Sequence, residues 1–153
     1  AKQLKAAALT LPYGNLAIDE GTARTMGDVA TGMYMSGSYL TTIDTPENKK
    51  FLADLSQKFS GNLSTPNELS EPQYEAFFLY KAAVEKANTT DSTAVVAALK
   101  EVSIVGPRGV VQMNASRHTP LAMRLGQIQS DGSIRILDTQ EAVSPGIQCP
   151  DLK

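Results

Sequence analysis

Apolar residues along this chain follow two different spacings, and the change comes near residue 106. Before it they recur every three or four positions, and after it they alternate. The plainest helix start is Asp44-Thr45-Pro46-Glu47, with Thr45 placed as N-cap, Pro46 at the first helical position and Glu47 in the first turn. Phe51, Leu52, Leu55 and Phe59 follow on one face, and Gly61-Asn62 closes the segment. A second helix is expected from Ser70-Glu71-Pro72 to about Lys86. Its apolar set of Tyr74, Phe77, Phe78, Leu79 and Val84 exceeds what a surface helix needs. A third begins after Asp91 and carries Val95, Val96, Leu99 and Val102.

The first forty residues are more broken. Residues 1–8 read as the end of a helix already under way, which points to a chain that starts inside a larger unit. Leu9 to Pro12 reads as a short buried strand running into the turn signals Pro12-Tyr13-Gly14-Asn15. Asp19-Glu20 opens a short helix to about Met26, and Met33 to Leu40 reads as a strand. Beyond Gly106-Pro107-Arg108-Gly109, Val111 and Met113 share one strand face. Leu121, Met123 and Leu125 share another, with Arg124 opposite. Ile134 and Ile136 follow the turn Ser130-Asp131-Gly132-Ser133, so 121–137 is expected to be a β-hairpin. The fold class is α/β.

Composition narrows the function. The chain has 153 residues, 42% of them hydrophobic and 20% charged, with a formal net charge of −2. Its cations are scattered, so no nucleic-acid partner is expected. No apolar run approaches the roughly 20 residues of a membrane span. No Gly-rich phosphate loop is present, and no cofactor is expected. His118, in the polar stretch Ser116-Arg117-His118-Thr119-Pro120, is the only histidine, and no G-x-S-x-G turn accompanies it. No catalytic residue is assigned. One histidine and one cysteine, Cys149, also leave no basis for a transition-metal site. Cys149 has no cysteine partner in this sequence.

Several stretches, taken in order, resemble the type I periplasmic binding proteins that serve branched-chain amino acids, amides and urea. They are Ser38-Tyr39-Leu40-Thr41-Thr42-Ile43-Asp44-Thr45-Pro46-Glu47-Asn48-Lys49-Lys50-Phe51, then Gln73-Tyr74-Glu75-Ala76, Ala82-Ala83-Val84-Glu85-Lys86-Ala87, Gly106-Pro107-Arg108-Gly109 and the Asp131-Gly132 hairpin. The resemblance implies two Rossmann-like lobes joined by three crossings, of which this chain is a C-terminal fragment. Residues 1–38 would belong to the second lobe, 39–105 would return as helices to the first, and 106–153 would cross back and form the tail. It implies an extracytoplasmic (periplasmic) solute-binding component of an ABC uptake system, working with a membrane permease and no chemistry of its own. A ligand-sensing regulator with the same fold is the alternative, and an enzyme is the reading set aside.

The same resemblance nominates ligand-binding residues. Tyr74 matches a family position whose aromatic ring faces the interlobe cleft. Asn15 falls where amino-acid binders carry a carboxylate, so a neutral amide there favours an amide, urea or similar ligand over a branched-chain amino acid. Asp19, Tyr13 and Tyr39 are the remaining candidates, at the cleft or its rim. The absent N-terminal portion is itself an expected partner. Without it, the helices of 46–102 would present an apolar face and favour self-association.

Overall fold

The computed structural model describes residues 2–8, 11–15, 17–60 and 64–144. In chain order its elements are α1 (Lys2–Ala6), α2 (Glu20–Met26), β1 (Tyr34–Gly37), α3 (Pro46–Phe59), α4 (Ser70–Ala87), α5 (Ser92–Ala98), β2 (Ser103–Gly106), β3 (Gly109–Gln112), β4 (Leu121–Ile128) and β5 (Ile134–Val143). The strands form two sheets, one of three strands in the order β1-β4-β5 and one hairpin, β2-β3. All pairs are antiparallel.

The helix starts are those the capping residues announce. Asp19, Thr45 and Asp91 each accept a hydrogen bond from the backbone N–H three residues on, capping α2, α3 and α5. The α4 helix starts differently, without a side-chain cap at Leu69. Asn67 stands in for one: its Oδ1 accepts from the N–H groups of Leu69 and Ser70 at 3.0 and 3.1 Å. Ser60, in the left-handed region, ends α3, while Gly61-Asn62 lies outside the described residues.

Two strand expectations need correction. The strand expected at Leu9–Pro12 is absent at Leu11 and Pro12; residues 9 and 10 lie outside the described set. The chain instead touches β1 at Tyr13–Asn15. There Tyr34 N–H donates to Tyr13 O and Asn15 N–H to Tyr34 O, at 3.1 and 2.8 Å. Pro12 has no N–H for a ladder, which is why pairing begins only after it. The strand expected at Met33–Leu40 spans only Tyr34–Gly37. Its last residues leave the sheet because the N–H groups of Ser38 and Tyr39 donate to the Glu68 carboxylate rather than to β4.

The β4-β5 hairpin matches expectation and runs on to Val143. Its turn is held by Asp131 Oδ1, which accepts from Ser133 N and Oγ, while Gly132 supplies a φ of 78°. Before it, β2 pairs with β3 through the tight turn at Pro107-Arg108, beside α4 rather than in the three-stranded sheet. The chain therefore enters that sheet again only at Leu121.

Two cores follow from this layout. The main one joins α2, β1, α3 and the β4-β5 hairpin through Met33, Met35, Leu40, Phe51, Ile128 and Ile134. The smaller one, Ala83, Val95 and Ala98, lies between α4 and α5. Between the sheet and the helices runs the connecting segment 38–45, which decides where the functional site sits.

Candidate functional site

The connecting segment is gripped by carboxylates from both sides. Glu20 Oε1, from the first turn of α2, accepts from Thr41 N and Oγ1 at 2.7 and 2.9 Å. Glu68, just before α4, takes Ser38 N at 2.9 Å and Ser38 Oγ at 2.7 Å on one oxygen, and Tyr39 N at 2.6 Å on the other. An extended segment that leaves a sheet must find partners for its N–H groups, and charge-assisted bonds to carboxylates are strong ones.

These contacts frame a cavity of about 210 Å³ between the start of α2, the end of β1 and residues 67–69. Its walls include Ile18, Met35 and Leu40, and its polar edge includes Asp19, Asn67 and Glu68. Asp19 and Asn67 meet across it: Asn67 Nδ2 donates to Asp19 Oδ2 at 2.8 Å, while Asp19 Oδ1 accepts from Thr22 N at 2.7 Å. Burial by itself would raise the Asp19 pKa. The hydrogen bonds from Thr22 and Asn67 outweigh it and hold the carboxyl below its ordinary value. At neutral pH Asp19 is therefore ionised and offers acceptors at this edge. Complete small-molecule pockets run to roughly 300–1,000 Å³, so this cavity is one wall of a site rather than a closed chamber.

Of the five residues singled out from the sequence, Asp19 and Tyr39 line this cavity. Tyr39 does so from within the core. It is 1% exposed, and its hydroxyl donates to Asn48 Oδ1 at 3.0 Å. Its phenol pKa is raised by burial first and then by the charges of Glu71, Glu20 and Glu75. The structure places the other three elsewhere. Tyr13 is half-buried against the main core, with its hydroxyl donating to Val29 O at 3.4 Å. Asn15 is exposed, and its Oδ1 accepts from Ala17 N at 2.7 Å, a local turn contact. Tyr74 lies between Phe51 and Phe78 with ring centroids 4.7 and 4.8 Å away, on the grooves that flank α4.

Asn67 and Glu68 were missed. In sequence they are two polar residues before a helix, and only their return to Asp19 and Ser38, 48 and 30 residues away, shows their place. His118 lies in a loop turned around Asn114, whose Oδ1 accepts from His118 N at 3.0 Å. Among the described residues no group of three or more His, Cys, Asp or Glu is arranged to hold a metal ion. No described helix is long and apolar enough to cross a membrane.

Comparison with known proteins identifies the fold and the family. A solute-binding protein of an ABC transporter from Rhodopseudomonas palustris HaA2, solved with p-hydroxybenzoic acid, is 26% identical and superposes with a TM-score of 0.79 over 94% of this chain and 40% of its own. A Leu/Ile/Val-binding protein homolog from Brucella abortus is 34% identical over 98 residues, 61% of this chain and 24% of the relative. A Geobacillus stearothermophilus protein named limonene hydroxylase is 23% identical over 116 residues, 76% of this chain and 21% of the relative. The chain thus spans under half the length of the proteins it matches. Residues 2–149 match the family described as periplasmic binding protein domain. The chain belongs to the periplasmic binding protein family and forms part of its two-lobed type I fold.

Proposed function

We propose that this chain is the C-terminal portion of an extracytoplasmic solute-binding component of an ABC uptake system, which closes its two lobes over a small organic molecule without transforming it. One observation carries the reading: an apolar cavity with an ionised, acceptor-bearing edge lies where the connecting segment leaves the sheet. The three carboxylates around it are all engaged by N–H and O–H donors of the protein itself. Glu20 and Glu68 position the segment and Asp19 ties α2 to Asn67, so each of the three is committed to holding the fold. Chemistry is not what this arrangement offers.

The ligand we favour has a compact apolar body and a hydrogen-bond donor directed at Asp19, as in an amide, a urea or a similar small molecule. The relatives point to two further classes, hydroxybenzoates and branched-chain amino acids, named for those proteins. A phenolic hydroxyl and an ammonium would each also meet the acceptor edge. In a two-lobed protein of this fold the facing wall of the site would come from the part of the fold this chain does not cover. Transport is the reading favoured over ligand sensing because the R. palustris relative is a transporter component.

A thermal-shift screen of the longest form of the protein tests this. Amides, ureas, hydroxybenzoates and amino acids are supplied one at a time, and a binder raises the melting temperature by mass action. Stabilisation by one class, weakened in Asp19→Ala, is the expected result. No stabilisation by any class, or turnover of a panel member, overturns the proposal.

A further inference from the structure

Two carboxylates on successive turns of α4 face a single guanidinium in the interior. Glu71 and Glu75 are 0% and 1% exposed, and the Arg108 side chain, from the β2-β3 turn, is 7% exposed. Arg108 spends most of its donors on Glu75. Its Nε and Nη2 both reach Glu75 Oε2, at 2.8 and 2.5 Å, and its backbone N reaches Oε1 at 3.2 Å. The remaining arm extends to the connecting segment, where Nη1 donates to Ser38 Oγ at 2.8 Å. Glu71 Oε2 also lies 2.8 Å from Arg108 Nε, yet that N–H is directed at Glu75, and neither Glu71 oxygen accepts a hydrogen bond.

The charges in this cluster do not balance. Two ionised carboxylates against one guanidinium leave one negative charge buried and without a directed donor among the described residues, an arrangement proteins avoid by holding a proton. One proton removes the excess and gives Glu71 a hydroxyl that donates to Glu75. Burial, followed by the interaction with Glu75, pushes the Glu71 carboxyl far above the ordinary carboxylate range, against the opposing pull of Arg108. Arg124 also feels the Glu71 charge, but its guanidinium directs its N–H groups to backbone carbonyls. Glu68 adds negative charge from the segment before α4. Arg124, on β4, directs Nη1 to Ser38 O at 2.6 Å and Nη2 to Arg108 O at 3.5 Å. Glu141 of β5 acts on Arg124, Glu20 of α2 is held by Thr41, and the Tyr39 phenol stays protonated between these acids.

We propose that Glu71 and Glu75 share one proton, and that this proton keeps Arg108 on Ser38, so that the pair acts as a proton-dependent latch on the segment joining the sheet to the helices. With the proton present, Glu75 alone answers the Arg108 charge, and Nη1 is free to hold Ser38. When it leaves, Glu71 becomes a second acceptor beside Nε, and the guanidinium turns towards it and away from Ser38 Oγ. The latch as a structural device stands without a ligand. Its effect on lobe closure rests on the solute-binding reading.

The test is carboxyl-carbon NMR of the 153-residue chain across pH, with the Ser38 and Tyr39 amides and the Arg108 side-chain signals followed in parallel. The expected result is a Glu71 carboxyl still protonated at neutral pH that titrates on the alkaline side, with the Ser38 and Arg108 signals moving at the same midpoint. Glu71→Gln, which keeps a neutral donor towards Glu75, removes that transition from Ser38 and leaves the neutral-pH spectrum native. An ionised Glu71 at neutral pH overturns the proposal. So does a Glu71 titration that leaves Ser38 and Arg108 unmoved, and both readings come from the unsubstituted chain. Failure of every ligand in the thermal-shift screen would remove the solute-binding reading and leave the latch standing.

Discussion

Asn67 Nδ2 donates a 2.8 Å hydrogen bond to Asp19 Oδ2 across 48 residues of sequence, tying the cap of α2 to the segment that starts α4. Asp19 therefore performs two tasks at the edge of the cavity, capping a helix and holding the opposite wall. Asp19→Ala removes both and is expected to cost about 1–2 kcal/mol, the range for a lost N-cap. Asn67→Ala keeps the cap of α2 and should cost about 1 kcal/mol. Because Asn67→Ala also strips the Leu69 and Ser70 N–H groups of their acceptor, the tether is read from urea unfolding of the double variant, whose loss should fall short of the sum of the two; full additivity would mean that the Asp19–Asn67 bond contributes nothing.

Glu71 and Asp19 set opposite slopes of stability with pH. Glu71 has a folded-state pKa raised above its unfolded value, so the folded chain binds the extra proton. That contribution is full below the ordinary carboxylate range and is lost as pH rises towards the raised value. Asp19 has a depressed pKa. Its contribution is present above the ordinary aspartate value and is lost as pH falls through the folded value. Stability should therefore peak in mild acid and decline towards alkaline pH. Glu71→Gln should flatten the alkaline limb and raise stability at neutral pH by about 1–3 kcal/mol, because a glutamine takes up no proton from water on folding. Melting curves from pH 4 to 9 read this directly.

Gly106 leaves room for the Glu75 carboxylate. A Cβ there would overlap Glu75 Oε1 and lie 2.8 Å from its Cγ. Gly106→Ala should displace Glu75 from Arg108 and cost about 1–3 kcal/mol by overpacking. Gly109 has open space around the same position but a φ of 112°, so Gly109→Ala destabilises through the backbone alone and leaves the Glu75–Arg108 pair formed. The Arg108 side-chain NMR signals separate the two cases.

Tyr39→Phe deletes only the hydroxyl that donates to Asn48 Oδ1. Asn48 is fully buried and spends its amide hydrogens on Thr41 O and Ile43 O, so its carbonyl oxygen would be left without a donor. The expected loss is about 1–3 kcal/mol, the cost of an unsatisfied buried acceptor. A double substitution with Asn48→Ala should recover part of it, and denaturant titration of the four forms reads the coupling.

The outer face of α4 should make this chain associate. Phe77 and Tyr80 are 68% and 50% exposed, and Val105 and Val110 stand bare at 62% and 65% on the hairpin beside that helix. Sedimentation at micromolar concentration is expected to show self-association of the 153-residue chain, and Phe77→Lys with Tyr80→Lys should restore a monomer with little change in melting temperature. A compact monomer before substitution would show that this face needs no cover.

The sequence by itself determined the local elements and the family. Asp19, Thr45 and Asp91 were legible as caps because an N-cap bond closes within three residues. Val111, Leu121 and Ile134 were legible as strand positions because alternation repeats within a short window. The Ser130–Ser133 turn was legible because Asp131 and Gly132 satisfy it locally. Tertiary structure alone decided the rest. Tyr39 reads as a rim aromatic until the fold carries it inside to meet Asn48, and the contact of Tyr74 with Phe51 arises only when α3 and α4 pack. Glu68 and Arg108 show no local pattern, since their partners lie 30 and 70 residues away, and the local contacts of Asn67 at the start of α4 say nothing of its bond to Asp19, 48 residues away. Periodicity reports which face of an element is apolar. It carries no information about which buried charge will face which, because that pairing is fixed only when distant segments pack and water leaves.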